Sequence, residues 1–265
     1  MAKVKGLFDV RGNVGDVNMY QLNGKKYIRR TTTMDKAKLM SNPNMKRVRE
    51  NMMEFGGAGL VAKALRAGLT PVAKRYADSR FSSRMLAVCK RMVKMATGIR
   101  GQRPVEPLNR KQLLEGLPLN KEFSLRAVLN LTVDVVPNVG RNGATVTATL
   151  LNPDLHIVPP TYASHFKLVL LVVGLTDHVY DASMEGYLAA NAAVNGLNAI
   201  ASSQEIAVTG VAPTTVTLTA DLPGAPVMGT TDALCVLVGV EFYQEVSNAY
   251  YLLASDNAMD LLKVY

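Results

Sequence analysis

The sequence predicts an α+β protein. An N-terminal β-hairpin and a basic helical hairpin come first, and a C-terminal antiparallel β-sandwich of immunoglobulin-like type follows. Three observations predict this. Charge changes sign along the chain, with 26 Lys/Arg against 8 Asp/Glu in residues 1–121 and 4 against 13 in 122–265. Apolar residues follow a helical period before about residue 103 and form short β-branched or aromatic runs after Phe123. Between the two, "TGIRGQRPVEPLNRK" carries Gly98, Gly101, Pro104 and Pro107, the composition of a linker. The expected division is a basic part at 1–103, a linker at 104–121 and an acidic β-domain at 122–265. With 48% hydrophobic residues the chain can bury cores in both parts.

In order along the chain, "DVNMYQL" and "KKYIRRTTT" flank Asn23-Gly24, a dipeptide suited to tight hairpin turns. Alternation puts Lys25, Tyr27, Arg29 and Thr31 on one face of the second strand and Lys26, Ile28, Arg30 and Thr32 on the other. Cations on both faces suit an edge, an interface or a contact with a phosphate backbone. Asn42-Pro43 then opens a helix, with Asn as N-cap and Pro in the first turn. Met45, Val48, Met52, Phe55 and Leu60 mark its expected buried stripe. Gly56, Gly57 and Gly59 each cost about 1 kcal/mol relative to Ala inside a helix. A close crossing with another element is the expected reason, and a kink is the rival.

Thr70-Pro71 repeats the cap-plus-proline signal, and "DSRFSSRMLAVCKRMVKM" (78–95) lies on the helix that follows. At 100° per residue, Arg80, Arg84, Arg91 and Lys94 fall within roughly 80° of one another. Phe81, Met85, Val88, Met92 and Met95 oppose them, so the methionines read as helix core. A short helix is expected around Arg110 to Glu115. The later runs "SLRAVLNLTVDVV", "GATVTATLL", "HFKLVLLVVG", "EIAVTG", "TTVTLTADL", "ALCVLVGVEFYQEV" and "AYYLL" read as strands. Glu185 to Ser203 interrupts them; its alanines favour a helix and its asparagines a loop.

Few residues carry chemistry. His156, His165 and His178 have no partner at zinc-ligand spacing, and no CxxC, GxGxxG, GxxxxGK[ST] or GxSxG occurs. The expectation is a protein that is not an enzyme and uses no metal or cofactor. Cys89 and Cys235 lie in apolar surroundings and read as free core thiols, which fits a reducing compartment. No apolar run approaches the roughly 20 residues of a transmembrane helix. The first residues lack the apolar core of a secretory signal, so synthesis is expected in the cytoplasm, with the final place, an extracellular assembly or a virion, left open.

The row Arg80, Arg84, Arg91, Lys94 has no acid at i+4, and such a row repels itself until an anion meets it. The acidic half of a neighbouring copy, a nucleic acid and plain solvent are the three candidates. Tyr27 and Tyr76 are the only evident aromatics among the cations, which weakens the case for base stacking.

"GNVGDVNMYQLNGKKYIRR", "RVRENMMEFGGAGLVAKALRAGL", "DSRFSSRM", "IRGQR" and "LVGVEFYQEVSNAYYLLASDNAMDLLKV" together resemble an uncharacterised family of Bacteroidota proteins. The resemblance spans most of the chain and is strongest in the first hundred and last thirty residues. It implies a basic helical head and a β-sandwich, and it carries over no catalytic or ligand residue.

The function expected is that of a non-enzymatic structural protein, a subunit of a filament, tube or virion-like particle. Copies would join through opposite charges and through strand exchange by the N-terminal arm or the C-terminal "LLKVY". Arg80, Arg84, Arg91, Lys94, Lys25, Arg29 and Arg30 are the expected anion- or partner-binding residues, and Gly56, Gly57 and Gly59 the helix-packing ones. The alternative is a nucleic-acid-binding or packaging protein that grips DNA or RNA with the basic N-terminal helices.

Overall fold

In the computed structural model, residues 2–3, 11–22, 24–31 and 35–265 are described. Their contacts divide the chain after Arg49, into Met1–Arg49 and Glu50–Tyr265. In the first unit, β1 (Ala2–Lys3), β2 (Gly12–Val14), β3 (Val17–Leu22) and β4 (Lys25–Arg30) form an antiparallel sheet in the order β1-β4-β3-β2. The expected β3–β4 hairpin is present, with Tyr20 opposite Tyr27 and Leu22 opposite Lys25. Asn23 of the turn and Thr32 lie outside the described residues; Gly24 has φ +72°, which glycine adopts without strain. Next come α1 (Lys36–Ser41), capped by Asp35, and a 3₁₀ turn at Pro43–Met45. As expected, Asn42 caps that turn, accepting the Asn44 amide at 2.9 Å, and α2 (Lys46–Gly68) follows. None of residues 11–22, 24–31 and 35–49 is buried.

The second unit contains the rest of α2, then α3 (Ala73–Tyr76), α4 (Phe81–Met95), β5 (Leu117–Pro118), α5 (Leu125–Val128), β6 (Asp134–Pro137), β7 (Gly143–Leu151) and α6 (Pro153–His156). The strands β8 (His165–Thr176), β9 (His178–Asp181), β10 (Gly186–Ala189), β11 (Asn198–Ser202), β12 (Ile206–Ala207) and β13 (Thr214–Asp221) follow, and β14 (Asp232–Val246), β15 (Ala249–Leu252) and β16 (Ala258–Val264) end the chain. A seven-stranded sheet runs β11-β8-β14-β16-β5, with β12 on β8 and β15 on β14. A three-stranded sheet runs β13-β7-β6, and β9 and β10 form a separate pair.

The long strands β8 and β14 explain the architecture. They pair over twelve positions, from Asp232–Thr176 to Tyr243–His165. Their side chains alternate between two cores. Phe166, Leu168, Leu170, Val172, Leu234, Val236 and Val238 face the three-stranded sheet, where they meet Val146, Ala148 and Leu218. Val169, Leu171, Val173, Cys235 and Leu237 face the helices, where they meet Val61, Leu65, Met85, Cys89 and Met92. The fold class is therefore α+β with antiparallel sheets, and the larger sheet of the sandwich carries helices on its second face.

This third layer corrects the expected division. The helices share a core with the sheet, so the contacts do not separate at 104–121. That segment runs over the unit, with Val105 bonded to His178 in both directions (2.9 and 3.0 Å) and a 3₁₀ turn at Lys111–Leu113. Glu185 to Ser203 is neither helix nor loop alone: it supplies β10 and β11. "SLRAVLNLTVDVV" begins with α5 and yields a strand only from Asp134. The C-terminal "LLKVY" is not a free arm. It belongs to β16, which pairs with β14, buries Met259, Leu261 and Val264, and locks Tyr265 and Leu234 by reciprocal amide bonds of 2.9 and 3.0 Å.

Candidate partner surfaces

Helix α2 turns a different face to the core than its sequence predicts. Gly57, Ala58, Val61, Ala62, Ala64, Leu65 and Gly68 are buried, while Val48, Met52, Phe55 and Leu60 are exposed. The reason is the closeness of helix and sheet. A Cβ on Gly68 would lie 2.2 Å from Val173 Cγ1, and one on Gly57 would lie 2.8 Å from the Tyr187 ring. At these two positions no side chain fits, while Val61 and Leu65 fill the space between and the bulky Met52, Phe55 and Leu60 stand outward. Gly57 is the close-packing glycine the sequence predicts; Gly56 and Gly59 face open space. Met52, Phe55 and Leu60 at i, i+3 and i+8, around two bare glycines, make an apolar strip on the outside of the unit.

The expected cation row on α4 does not act as one row. Arg84 is half-buried and clamps the start of the helix. It binds both Asp78 oxygens at 2.8 and 2.7 Å and donates to the Pro118 and Leu119 carbonyls at 3.2 and 3.0 Å. Asp78, six residues upstream, is the acid that an i+4 search misses. Arg80 is exposed, and its amide bonds Asp78 at 2.7 Å. Arg91 and Lys94 are exposed. Lys94 instead joins Lys90, Arg100 and Arg103 around a cleft of about 240 Å³ that Asn51, Glu54 and Val93 complete. Glu54 is the cleft's one carboxylate and is fully engaged. It accepts from Arg103 Nε and Nη2 at 2.7 and 2.8 Å and from the Gly101 amide at 2.8 Å. Burial opposes its ionisation, but these hydrogen bonds outweigh burial and hold its pKa below the ordinary value. Lys90 lies 5.6 Å from the Phe55 ring centroid, so the cationic cleft borders the apolar strip.

On the other side of the seven-stranded sheet lies a larger groove of about 630 Å³. Leu125, Leu129, Leu131, Val133, Val135 and Leu262 supply its apolar lining, with Arg126 and Lys263 among the remainder. Nothing in the sequence marks it, because it forms where α5, the turn after it and β16 meet.

In the N-terminal unit, Lys25, Arg29 and Arg30 are exposed, but β4 pairs with both β1 and β3 and so is not an edge strand, one of the roles its sequence suits. Arg30 reaches Asp16 at 4.0 Å on one face of the sheet. On the other, Arg29 lies 5.5 Å from the centroid of Tyr20, which stacks on Tyr27 at 5.7 Å with planes 23° apart. Tyr20 escapes a linear reading because only the hairpin register sets it beside Tyr27.

Ionisable groups are also buried elsewhere in the second unit. Glu241, buried in the sheet, pairs with Arg75 at 2.5 Å and accepts the Tyr243 hydroxyl at 2.7 Å. Asp177 is buried, and burial, aided by the charges of Glu106 and Asp232, pushes its pKa up to about 7. His178 is buried beside it, and burial depresses its pKa. Among the described residues no three His, Cys, Asp or Glu side chains are arranged to hold a metal ion, and no helix is long and apolar enough to cross a membrane. No family model, curated protein or solved structure matches the chain, so these surfaces stand on their geometry.

Proposed function

We propose that the protein is a non-enzymatic, self-assembling structural subunit whose copies join head to tail. The observation that carries this reading is α2, a helix that is apolar on both faces. One face closes the core. The other presents Met52, Phe55 and Leu60, 53%, 48% and 38% exposed, around Gly56 and Gly59. An apolar strip rimmed by Lys63, Lys90 and Lys94 is the composition of an interface rather than of a solvated helix.

The partner it fits is the groove of a second copy. The groove is apolar and lies on the opposite side of the seven-stranded sheet from α2. Segment-wide charge favours the same orientation, with Arg126 and Lys263 of the groove as exceptions. Residues 50–121, which include the helical layer, hold 14 Lys/Arg against 5 Asp/Glu, and residues 122–265 hold 4 against 13. The second unit is thus neutral overall but divided in charge between its helix-bearing and strand-rich parts, which orients copies in the same sense. Two different surfaces on one chain make a heterologous contact, which gives a ring when the rotation closes and an open filament or tube when it does not. This places the proposed strand exchange behind surface docking, since the C-terminal strand is held in its own sheet.

Negative-stain microscopy of the purified chain at low salt tests the reading. Rings, filaments or tubes are expected, and they should dissolve as salt rises. A field of single particles at high protein concentration overturns it.

A further inference from the structure

The chain's excess charge lies wholly in the first unit. Residues 1–49 hold 12 Lys/Arg against 3 Asp/Glu, whereas residues 50–265 hold 18 of each. This shifts attention from the basic helices to the N-terminal sheet. That sheet has a second property: none of the described residues of β2, β3 and β4 is buried, and a small sheet without a covered apolar face gains little from its own packing.

Register assigns its two faces. Asn18 opposes Arg29, Tyr20 opposes Tyr27 and Leu22 opposes Lys25, so these six share one face, and Asn13 joins them opposite Asn18. The two tyrosine rings are close to parallel, and the Arg29 guanidinium lies against Tyr20. Asp16 is the one acid between Arg11 and Thr31, and it lies by Arg30, whose side chain is on the opposite face. The face therefore combines flat π surfaces, two exposed cations and two amides joined by a 2.5 Å hydrogen bond from Asn18 to Asn13, with no carboxylate among the described residues.

We propose that this face binds single-stranded nucleic acid, with bases stacked on the Tyr20–Tyr27 pair and phosphates held by Lys25 and Arg29. Unpaired bases match stacked tyrosines because every base offers a π face, whereas the carboxylates of an acidic protein surface gain nothing from the rings. The cations track the backbone and release counterions as they neutralise it. The site is independent of the α2 strip, so the chain has one surface for its own copies and another for a nucleic acid strand.

The test is fluorescence anisotropy with the full chain at low salt, using labelled oligothymidylate and oligouridylate of roughly 12 nucleotides, a common span for a small binding domain. Binding is expected, with weaker binding to a duplex of the same length. Tyr20→Ala and Tyr27→Ala should each weaken it by about 5- to 100-fold without changing its salt dependence, and the Phe variants should keep it. Lys25→Ala and Arg29→Ala should each lower the slope of log affinity against log salt by about 0.7. In the unaltered chain, ultraviolet crosslinking followed by peptide mapping should mark Tyr20 or Tyr27. Phe55→Asp, which targets assembly, should bind the oligonucleotide as the parent chain does, so a failure of assembly and a failure of binding are told apart. No binding at low salt, equal affinity for the duplex, full affinity in both Ala variants, or crosslinks confined to residues 50–265 would each overturn the proposal.

Discussion

The four glycines of α2 should respond to the same substitution with opposite signs. Gly56→Ala and Gly59→Ala add a methyl group that meets nothing within 4 Å. Alanine then stabilises the helix by about 1 kcal/mol at each site. Gly57→Ala places a Cβ 2.8 Å from three atoms of the Tyr187 ring, where carbon contacts settle at about 3.5–4.0 Å. The ring cannot easily retreat. Its hydroxyl donates to the Arg103 carbonyl at 2.9 Å, and its edge packs on Tyr180 with centroids 5.7 Å apart. Overpacking of this kind costs about 1–3 kcal/mol, which offsets or exceeds the helix gain. Gly68→Ala is harsher, with Val173 Cγ1 at 2.2 Å on a central strand that is fully buried. A loss of about 3 kcal/mol is expected there. Thermal unfolding reads the series, since about 1 kcal/mol moves the midpoint of a domain this size by roughly 2–4 °C. Gains at 56 and 59 with losses at 57 and 68 are predicted. A stable Gly68→Ala, or four changes of one sign, would show that the helix does not lie on the sheet as described.

Other perturbations read the buried polar groups. Asp177 keeps its proton up to about pH 7 in the fold, against 3.8 for an ordinary carboxyl. The folded state thus binds the extra proton, and stability should fall by roughly 1.4 kcal/mol per pH unit between about 4 and 7, then level off. Urea midpoints across that range should show the slope, and Asp177→Asn should remove most of it. Glu54→Ala leaves the largely buried Arg103 without its bidentate partner and should cost about 3 kcal/mol in chemical unfolding. Burial pushes the Cys89 thiol up to about 12 and Cys235 higher still, so a disulfide reagent should label neither until the chain unfolds globally.

The sequence is most legible where pattern and environment agree. β7, β8, β13 and β14 follow from β-branched runs, the hairpin from its Asn-Gly turn, and the capped 3₁₀ turn that leads into α2 from Asn42-Pro43. It is least legible where a long-range contact reverses the local signal. In α2 the face that carries Gly57, Val61, Leu65 and Gly68 is the buried one, with Tyr187 and Val173 pressed against its glycines, so the bulky stripe is the wrong one to place inside. In α4 the amphipathic pattern is right for Phe81, Met85 and Met92, which are buried, whereas Val88 is half-buried and Met95 is exposed. Its cation row still dissolves, because Asp78 and two backbone carbonyls capture Arg84 from outside the helix. The continuous apolar character of β8 and β14 is the signal that could have revealed the third layer. A strand of a two-layer sandwich faces one core, whereas these strands face two. The groove at α5 and the Tyr20–Tyr27 pair have no linear signature, since each needs a tertiary register to exist.

Sedimentation velocity on two variants, separately and mixed, bears most directly on head-to-tail assembly. Phe55→Asp spoils the α2 strip and Leu131→Asp spoils the groove, and each variant keeps the other surface intact. Each alone should sediment as a chain of 28.7 kDa. Mixed in equal amounts, they should form a dimer of twice that mass and stop there, because each pair buries its one sound contact and offers two spoiled ones. Large assemblies from Leu131→Asp alone, or a mixture that stays monomeric while the parent chain assembles, would contradict the account.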